Sequence, residues 1–259
     1  MSSLKNTVYN LIDVLTLHKG ISRKINNYAV RFPAKWFRYF EADYEQENVA
    51  FLTKTCKEGM VVIDIGAHLG LMSVIIAKLI GKHGKLYSFE PTPKTFEILK
   101  KIIHINDCDN IVTPFNKAVS NFVGLVDFFV DENEGSNANS LVGRKDKIRS
   151  AQKIEVNTLD NCVAELKLEK LDLIKIDAEG SELDVLNGAK NTIENFKPIL
   201  ILAIHPSLIK NNGQSLEAIF DVLVNFNYTI YYQDQILTKD LFCHKTDFFD
   251  VHLIPQSKK

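Results

Sequence analysis

Acids, glycines and a histidine follow directly after apolar runs at four places in this chain. The stretch "VVIDIGAHLG" at 61–70 ends its apolar run in Asp64 and then turns on Gly66 and Gly70. "YSFEP" puts Glu90 and Pro91 about 26 residues after Asp64. "LIKIDAEGSE" supplies Lys175, Asp177, Glu179 and Glu182, and "LAIHP" supplies His205. An open α/β sheet binds its ligands beyond the carboxyl ends of its strands, so these residues stand where chemistry is expected.

Gly66 and Gly70 permit a tight strand-to-helix turn and let a ligand approach the backbone closely. A helix starting there aims unpaired amides at an electron-rich group. A carboxylate at the end of the next strand, Glu90, is placed to accept two ribose hydroxyls. A dinucleotide fingerprint would read G-x-G-x-x-G, whereas the spacing here is G-A-H-L-G, with Asp64 two residues before the first glycine. An acid beside the turn repels a pyrophosphate and suits a cation. No G-K-[ST] follows the glycines, so a phosphate-binding loop is excluded as well. The cofactor that fits is S-adenosyl-L-methionine, which carries an adenosine and a sulfonium but no phosphate.

If the nucleophile that takes the methyl is an alcohol, its proton needs an acceptor. Asp177 and His205 end adjacent strands, and an unperturbed imidazole titrates near neutrality. Each has other readings: His205 fixes the turn into Pro206, and Asp177 binds the cofactor's amino group, helps hold a cation, or caps the helix that opens at Ser181. His68 either bonds the methionine carboxylate or caps its helix. Glu179 is placed to face the site, and Glu182 to stabilise a helix through its dipole. Lys175, inside a strand that reads as buried, needs a charged partner. Asp177 and Glu179 alone are too few oxygen ligands for a metal, so no obligatory metal is expected.

These residues require particular elements. From 60 onward strand-like and helix-like runs alternate, the mark of a parallel sheet with helices on both faces. The alternation breaks at "GLVDFFVDE" and "KIEVNTLD", which predict a β insertion whose polar tip, with Asn137, Asn139 and Ser140, is a loop that could act as a lid. "YTIYYQ" and "DFFDVHLIP" predict a final strand pair, joined without a helix and antiparallel at a sheet edge. Residues 1–58 read as an N-terminal helical cap, and residues 59–259 as the cofactor-binding domain. The basic and aromatic stretch at 19–40 is balanced by the acids at 41–47 and lacks a recognised RNA module, so a packed cap is the better reading than a nucleic-acid surface.

With 31 Lys+Arg against 32 Asp+Glu, nothing attracts the whole protein to polyanions. Runs such as "PILILAI" are too short to cross a bilayer. Cys56, Cys108, Cys162 and Cys243 are scattered without metal or redox spacing, which predicts reduced thiols and a cytoplasmic protein.

In order along the chain, "VVIDIGAHLG", "YSFEP", "VNTLD", "DLIKIDAEGSELDVLNGA" and "IHP" resemble the motifs of FkbM-type S-adenosylmethionine-dependent methyltransferases over roughly residues 40–206. The resemblance implies a Rossmann-like class I methyltransferase fold. Its sheet has seven strands in the order 3-2-1-4-5-7-6, with the seventh antiparallel. By that likeness Asp64, Gly66 and Gly70 line the methionine portion, with Ala67 and His68 beside them. Glu90, next to Pro91, takes the ribose, and Asn116 and Ala118 lie near adenine. Tyr44 and Glu45 resemble the family's aromatic–acidic step, which closes over the cofactor. Asp177 and His205 are the implied catalytic pair. Ala203 stands where the family often has an acid. The acceptor class, a hydroxyl on a glycan or small natural product, follows from the resemblance alone. Two rivals are an inactive methyltransferase-fold binding module and an NAD-dependent oxidoreductase.

Overall fold

The structure, a computed structural model, describes residues 2–130 and 150–256. In chain order the elements begin with α1 (Ser2–Leu15), the hairpin β1 (Ile21–Ile25) and β2 (Tyr28–Phe32), and α2 (Gln46–Thr55). The first αβ units follow: β3 (Val61–Ile65), α3 (Leu71–Ile80), β4 (Lys85–Phe89), α4 (Pro93–Ile105) and β5 (Val112–Phe115). The insertion comprises β6 (Ala118–Val119), β7 (Gly124–Val130) and β8 (Ser150–Asn157). Next come α5 (Leu159–Glu165), β9 (Leu173–Ile176), α6 (Glu182–Asn187), α7 (Lys190–Phe196) and β10 (Ile199–Ile204). The chain ends with α8 (Pro206–Asn211), α9 (Leu216–Asn225), β11 (Tyr228–Tyr232), β12 (Gln235–Ile236), α10 (Lys239–Cys243) and β13 (Phe249–Pro255).

The main sheet runs β12-β11-β13-β10-β9-β3-β4-β5. Its centre is parallel, and β13 enters antiparallel between β10 and β11. The count is eight rather than seven, because Gln233 and Asp234 both take positive φ and fold β12 back onto β11 as a two-residue hairpin. The expectation that β11 and β13 join without a helix is also corrected, since α10 lies between them.

Strand side chains alternate between the two faces. Ile63, Ile174, Leu200 and Leu202 join one buried cluster, while Val62, Leu173 and Ile201 join the other. The apolar runs are continuous because both faces of the sheet are covered. This is the geometry that carries each strand's last polar residue to one edge of the sheet.

The expected β insertion is a separate three-stranded sheet, β6-β8-β7, with β6 parallel and β7 antiparallel to β8. Asn137, Asn139 and Ser140 lie outside the described residues. In residues 1–58 helices stand at both ends, but the middle is a hairpin and not helical. Asn26 and Asn27, at φ 47° and 71°, make the two-residue turn that matches strand twist. Among the described residues no helix is long and apolar enough to cross a membrane, and all four cysteines are free.

Candidate active site

A cavity of about 960 Å³, open mouth included, lies beyond the carboxyl ends of β3, β4 and β9. One wall is apolar, from Phe40, Leu71, Met72, Phe89, Ala118 and Val119; the opposite side carries Lys175, Asp177 and Glu179.

The glycine turn brings the floor of the cavity together. Gly66 has φ +78°, and a Cβ there would collide with the carbonyl of Asp177. The close crossing of β3 and β9 is fixed on the other side by the Asp177 amide, which donates to the Ile65 carbonyl at 3.0 Å. Gly70 (φ +90°) faces Leu99 with no room for a side chain. The turn's amides are engaged within the protein. Gly66 and Ala67 both donate to the Phe89 carbonyl, His68 donates to Glu90 Oε2, and Gly70 donates to the Ala67 carbonyl. None of these four remains for a phosphate.

Glu90 is buried, and its two carboxylate oxygens are held by the amides of His68 at 3.0 Å and Thr92 at 2.8 Å. Burial raises its pKa to about 7, against the opposing pull of those hydrogen bonds. So clamped, the carboxylate presents its remaining lone pairs to the cavity, as a ribose diol requires. Asn116 stands behind this loop and not in the cavity lining. Its Nδ2 donates to the carbonyls of Glu90 and Pro91, each at 2.9 Å. Ala118, the other residue expected near adenine, does line the cavity.

Asp64 is the largest departure from expectation. It is wholly buried and is not among the residues that line the cavity. In the sheet it lies opposite Ser88 on β4 and Lys175 on β9. Its Oδ2 accepts from Ser73 Oγ at 2.6 Å, while Oδ1 has no hydrogen-bond partner. Burial raises its pKa, with Lys175 the main counterweight. Lys175 is itself buried, 3.5 Å from Asp177. Burial alone would lower its pKa, but the charges of Glu45, Asp177, Asp64 and Asp250 outweigh that and hold it protonated. Lys175 thus has the partner the sequence demanded, and more than one. Asp250, on β13 at the far side of this group, is pushed up to about 7 by burial.

Tyr44 and Glu45 line the cavity, as expected of the step before β3. Glu45 takes φ 48° and accepts from Asn48 Nδ2 at 3.0 Å. His68, also at positive φ, lines the cavity with its ring against Tyr39 and Phe40.

At the end of β9, Asp177 and Glu179 line the cavity and His205 stands directly behind them. His205 Nε2 lies 3.7 Å from Asp177 Oδ1 and 4.0 Å from Glu179 Oε2, and its Nδ1 meets Glu182 Oε1 at 2.8 Å. Burial disfavours the imidazolium, yet the Glu182 hydrogen bond and the three carboxylates raise its pKa to about 9. With no ligand bound, these groups favour a protonated ring at neutral pH. Glu182 stands in the first turn of α6, as expected, but it is also fully buried, and Oε1 accepts from the Gly180 amide at 3.0 Å. The expectation that Asp177 and Glu179 stand alone as metal ligands gives way as well. Ligand atoms of Asp177, Glu179 and His205 all lie within 4.8 Å of one another.

Of the expected cofactor residues, Tyr44, Gly66, Ala67, His68, Glu90, Pro91, Ala118 and Asp177 line the cavity; Asp64, Gly70 and Asn116 support it from outside. Phe40, Thr92, Lys117 and Val119 line it without having been singled out. Phe40 belongs to the aromatic stretch that sequence reasoning placed in a cap. The donor set fits an adenosyl sulfonium: an apolar slot, a clamped carboxylate for a diol, further acids near the methyl end, and no phosphate cradle.

A family model described as "Methyltransferase FkbM domain" matches residues 64–230. The hexuronic acid methyltransferase AglP of Haloferax volcanii is 26% identical over 208 residues, covering 76% of this chain and 82% of that protein. The 2-O-methyltransferase NoeI of Sinorhizobium fredii is 28% identical over 184 residues, covering 66% and 73%. A solved structure of a candidate rRNA-methylase from Clostridium thermocellum shares the fold with a TM-score of 0.52. Its identity is 11%, and the match covers 83% of this chain and 96% of that one.

Proposed function

The chain belongs to the FkbM methyltransferase family, and on that premise we propose that it moves a methyl group from S-adenosylmethionine to a hydroxyl oxygen of a glycan or a small molecule. The cofactor supplies an electrophilic methyl on a positively charged sulfur. Glu90 holds the ribose, the wall of Phe89, Ala118 and Val119 takes the adenine, and Tyr44 with Phe40 covers the methionine end. Asp177 is the residue that meets the acceptor. Its carboxylate accepts the hydroxyl's hydrogen bond and takes the proton as the new O–CH3 bond forms. The S–CH3 bond breaks in the same step, and its electron pair stays on sulfur. Alignment and exclusion of water supply much of the rate, and a placed base adds about 10²–10⁴-fold. His205, lying behind Asp177 and Glu179, orients them.

The observation that carries this reading is the placement of Asp177 on the cavity wall, at the parallel edge shared with Glu90 and fixed there by Gly66. The acceptor class draws support from relatives named for hexuronic acid methylation and 2-O-methylation. The test is incubation with a trideuteromethyl-labelled cofactor and panels of glycans and small hydroxy compounds, read by mass spectrometry. Label on oxygen, lost in Asp177→Asn, supports the proposal. Label on nitrogen alone, or none on any hydroxyl with adenosylhomocysteine bound, overturns it.

A further inference from the structure

At the ends of β9 and β10, ligand atoms of Asp177, Glu179 and His205 all lie within 4.8 Å of one another. His205 Nε2 lies 3.7 Å from Asp177 Oδ1 and 4.0 Å from Glu179 Oε2. Those separations are too long for hydrogen bonds. Two atoms bonded to one ion at about 2.1 Å are about 3.0–3.4 Å apart, so the side chains need to close in by less than about 1 Å to share one. Asp177 Oδ1 is buried and has no hydrogen-bond partner.

A second observation concerns the histidine alone. Glu182, with no exposed surface, takes the hydrogen of Nδ1 at 2.8 Å, which leaves Nε2 as the atom facing both carboxylates. A buried acid that fixes a histidine's orientation from the rear is the usual support of a metal-ligating imidazole. Glu182 is in turn held by the Gly180 amide, so the ring is locked before anything binds.

We propose that Asp177, Glu179 and His205 bind one divalent first-row cation at the acceptor end of the cavity, with Glu182 positioning His205. One nitrogen and two carboxylates suit Mn²⁺, Co²⁺ or Zn²⁺ better than Mg²⁺ or Ca²⁺, which prefer all-oxygen shells. Asp177 and Glu179 line the cavity, so the open coordination positions face the acceptor. A hydroxyl oxygen bound there becomes more acidic, and the second Asp177 oxygen is left to receive its proton. This inference rests on the methyltransferase reading for its use, but not for its binding site.

The test is titration of the metal-free full chain with Mn²⁺ alone, followed by electron paramagnetic resonance. One ion should bind per chain, with a nitrogen modulation from His205 in the pulsed spectrum. His205→Ala should abolish that modulation, and Glu179→Gln and Glu182→Gln should each weaken Mn²⁺ affinity tenfold or more. Adenosylhomocysteine affinity, measured by calorimetry on the same proteins, should stay within about threefold and shows that they are folded. Absence of Mn²⁺ binding overturns the proposal, as does binding that His205→Ala leaves unchanged. Either result with adenosylhomocysteine still bound leaves the methyltransferase reading standing. Loss of adenosylhomocysteine binding by the wild type would instead sink that reading.

Discussion

Glu182, wholly buried on the first turn of α6, grips Nδ1 of His205 from behind the site at 2.8 Å. The two residues are on different crossover units and meet only because β9 and β10 are neighbours. Removing the carboxylate frees the ring without touching the cofactor slot. Glu182→Gln is therefore expected to cut kcat by about 100-fold, the scale of an error of about 1 Å in placing a reacting group. Adenosylhomocysteine affinity should hardly change. Parallel calorimetry and steady-state kinetics check this; equal losses in both would mean that Glu182 only supports the fold.

Lys175 is the cation that makes four surrounding acids tolerable. Lys175→Met leaves Glu45, Asp64, Asp177 and Asp250 facing one another with their shared counter-charge gone. Breaking a buried pair in this way costs about 3–5 kcal/mol. Denaturant unfolding should show a drop of that size, and Asp64→Asn in the same chain should restore part of it. Additive losses in the double variant would show that the two do not interact.

Gly66→Ala tests the crossing of β3 and β9. The new Cβ meets the Asp177 carbonyl, and φ +78° is unfavourable for any side chain. The expected loss is on the order of 1–3 kcal/mol, with a larger proportional fall in cofactor affinity because Asp177 must move. A variant that melts and binds like the wild type would contradict the close approach.

Much of this site was legible because its residues close apolar runs of even length, and a parallel sheet puts all such ends on one edge. Glu90, Gly66 and Asp177 follow from that rule. Asp64 did not, because its burial depends on the side chains that close over it, Ser73 from α3 and Lys175 from β9, and β9 is far from β3 in sequence. For Glu182 only half was legible: its place in the first turn of α6 is local, while its partner His205 is 23 residues away. The hairpin at 21–32 was readable in principle: two asparagines between alternating residues, in "RKINNYAV", are a two-residue turn signal that the surrounding charges obscured. The eighth strand rests on a comparable turn at Gln233 and Asp234, both non-glycine residues at positive φ, which composition does not announce.

The last prediction concerns Glu90 and pH. Its folded pKa of about 7 lies above the ordinary 4.5. The protonated form is thus the one the fold favours. Its contribution to stability is present in full below pH 4.5 and is lost as pH rises through about 7. Ligand binding has the opposite requirement, since only the ionised carboxylate accepts both ribose hydroxyls. Adenosylhomocysteine affinity should therefore fall by roughly tenfold per pH unit below about 7, in the same range where the free protein gains stability. Asp250, also raised to about 7, adds a stability slope of the same sign, so the informative quantity is the difference between wild type and Glu90→Gln. That variant should bind adenosylhomocysteine weakly at every pH and lose the pH dependence of binding. Above pH 7 it should melt a few degrees higher than the wild type, because no buried charge must form. Calorimetric binding curves and melting curves from pH 5 to 8.5 measure both effects. If Glu90→Gln retains a wild-type binding profile, the ribose is held by some other group.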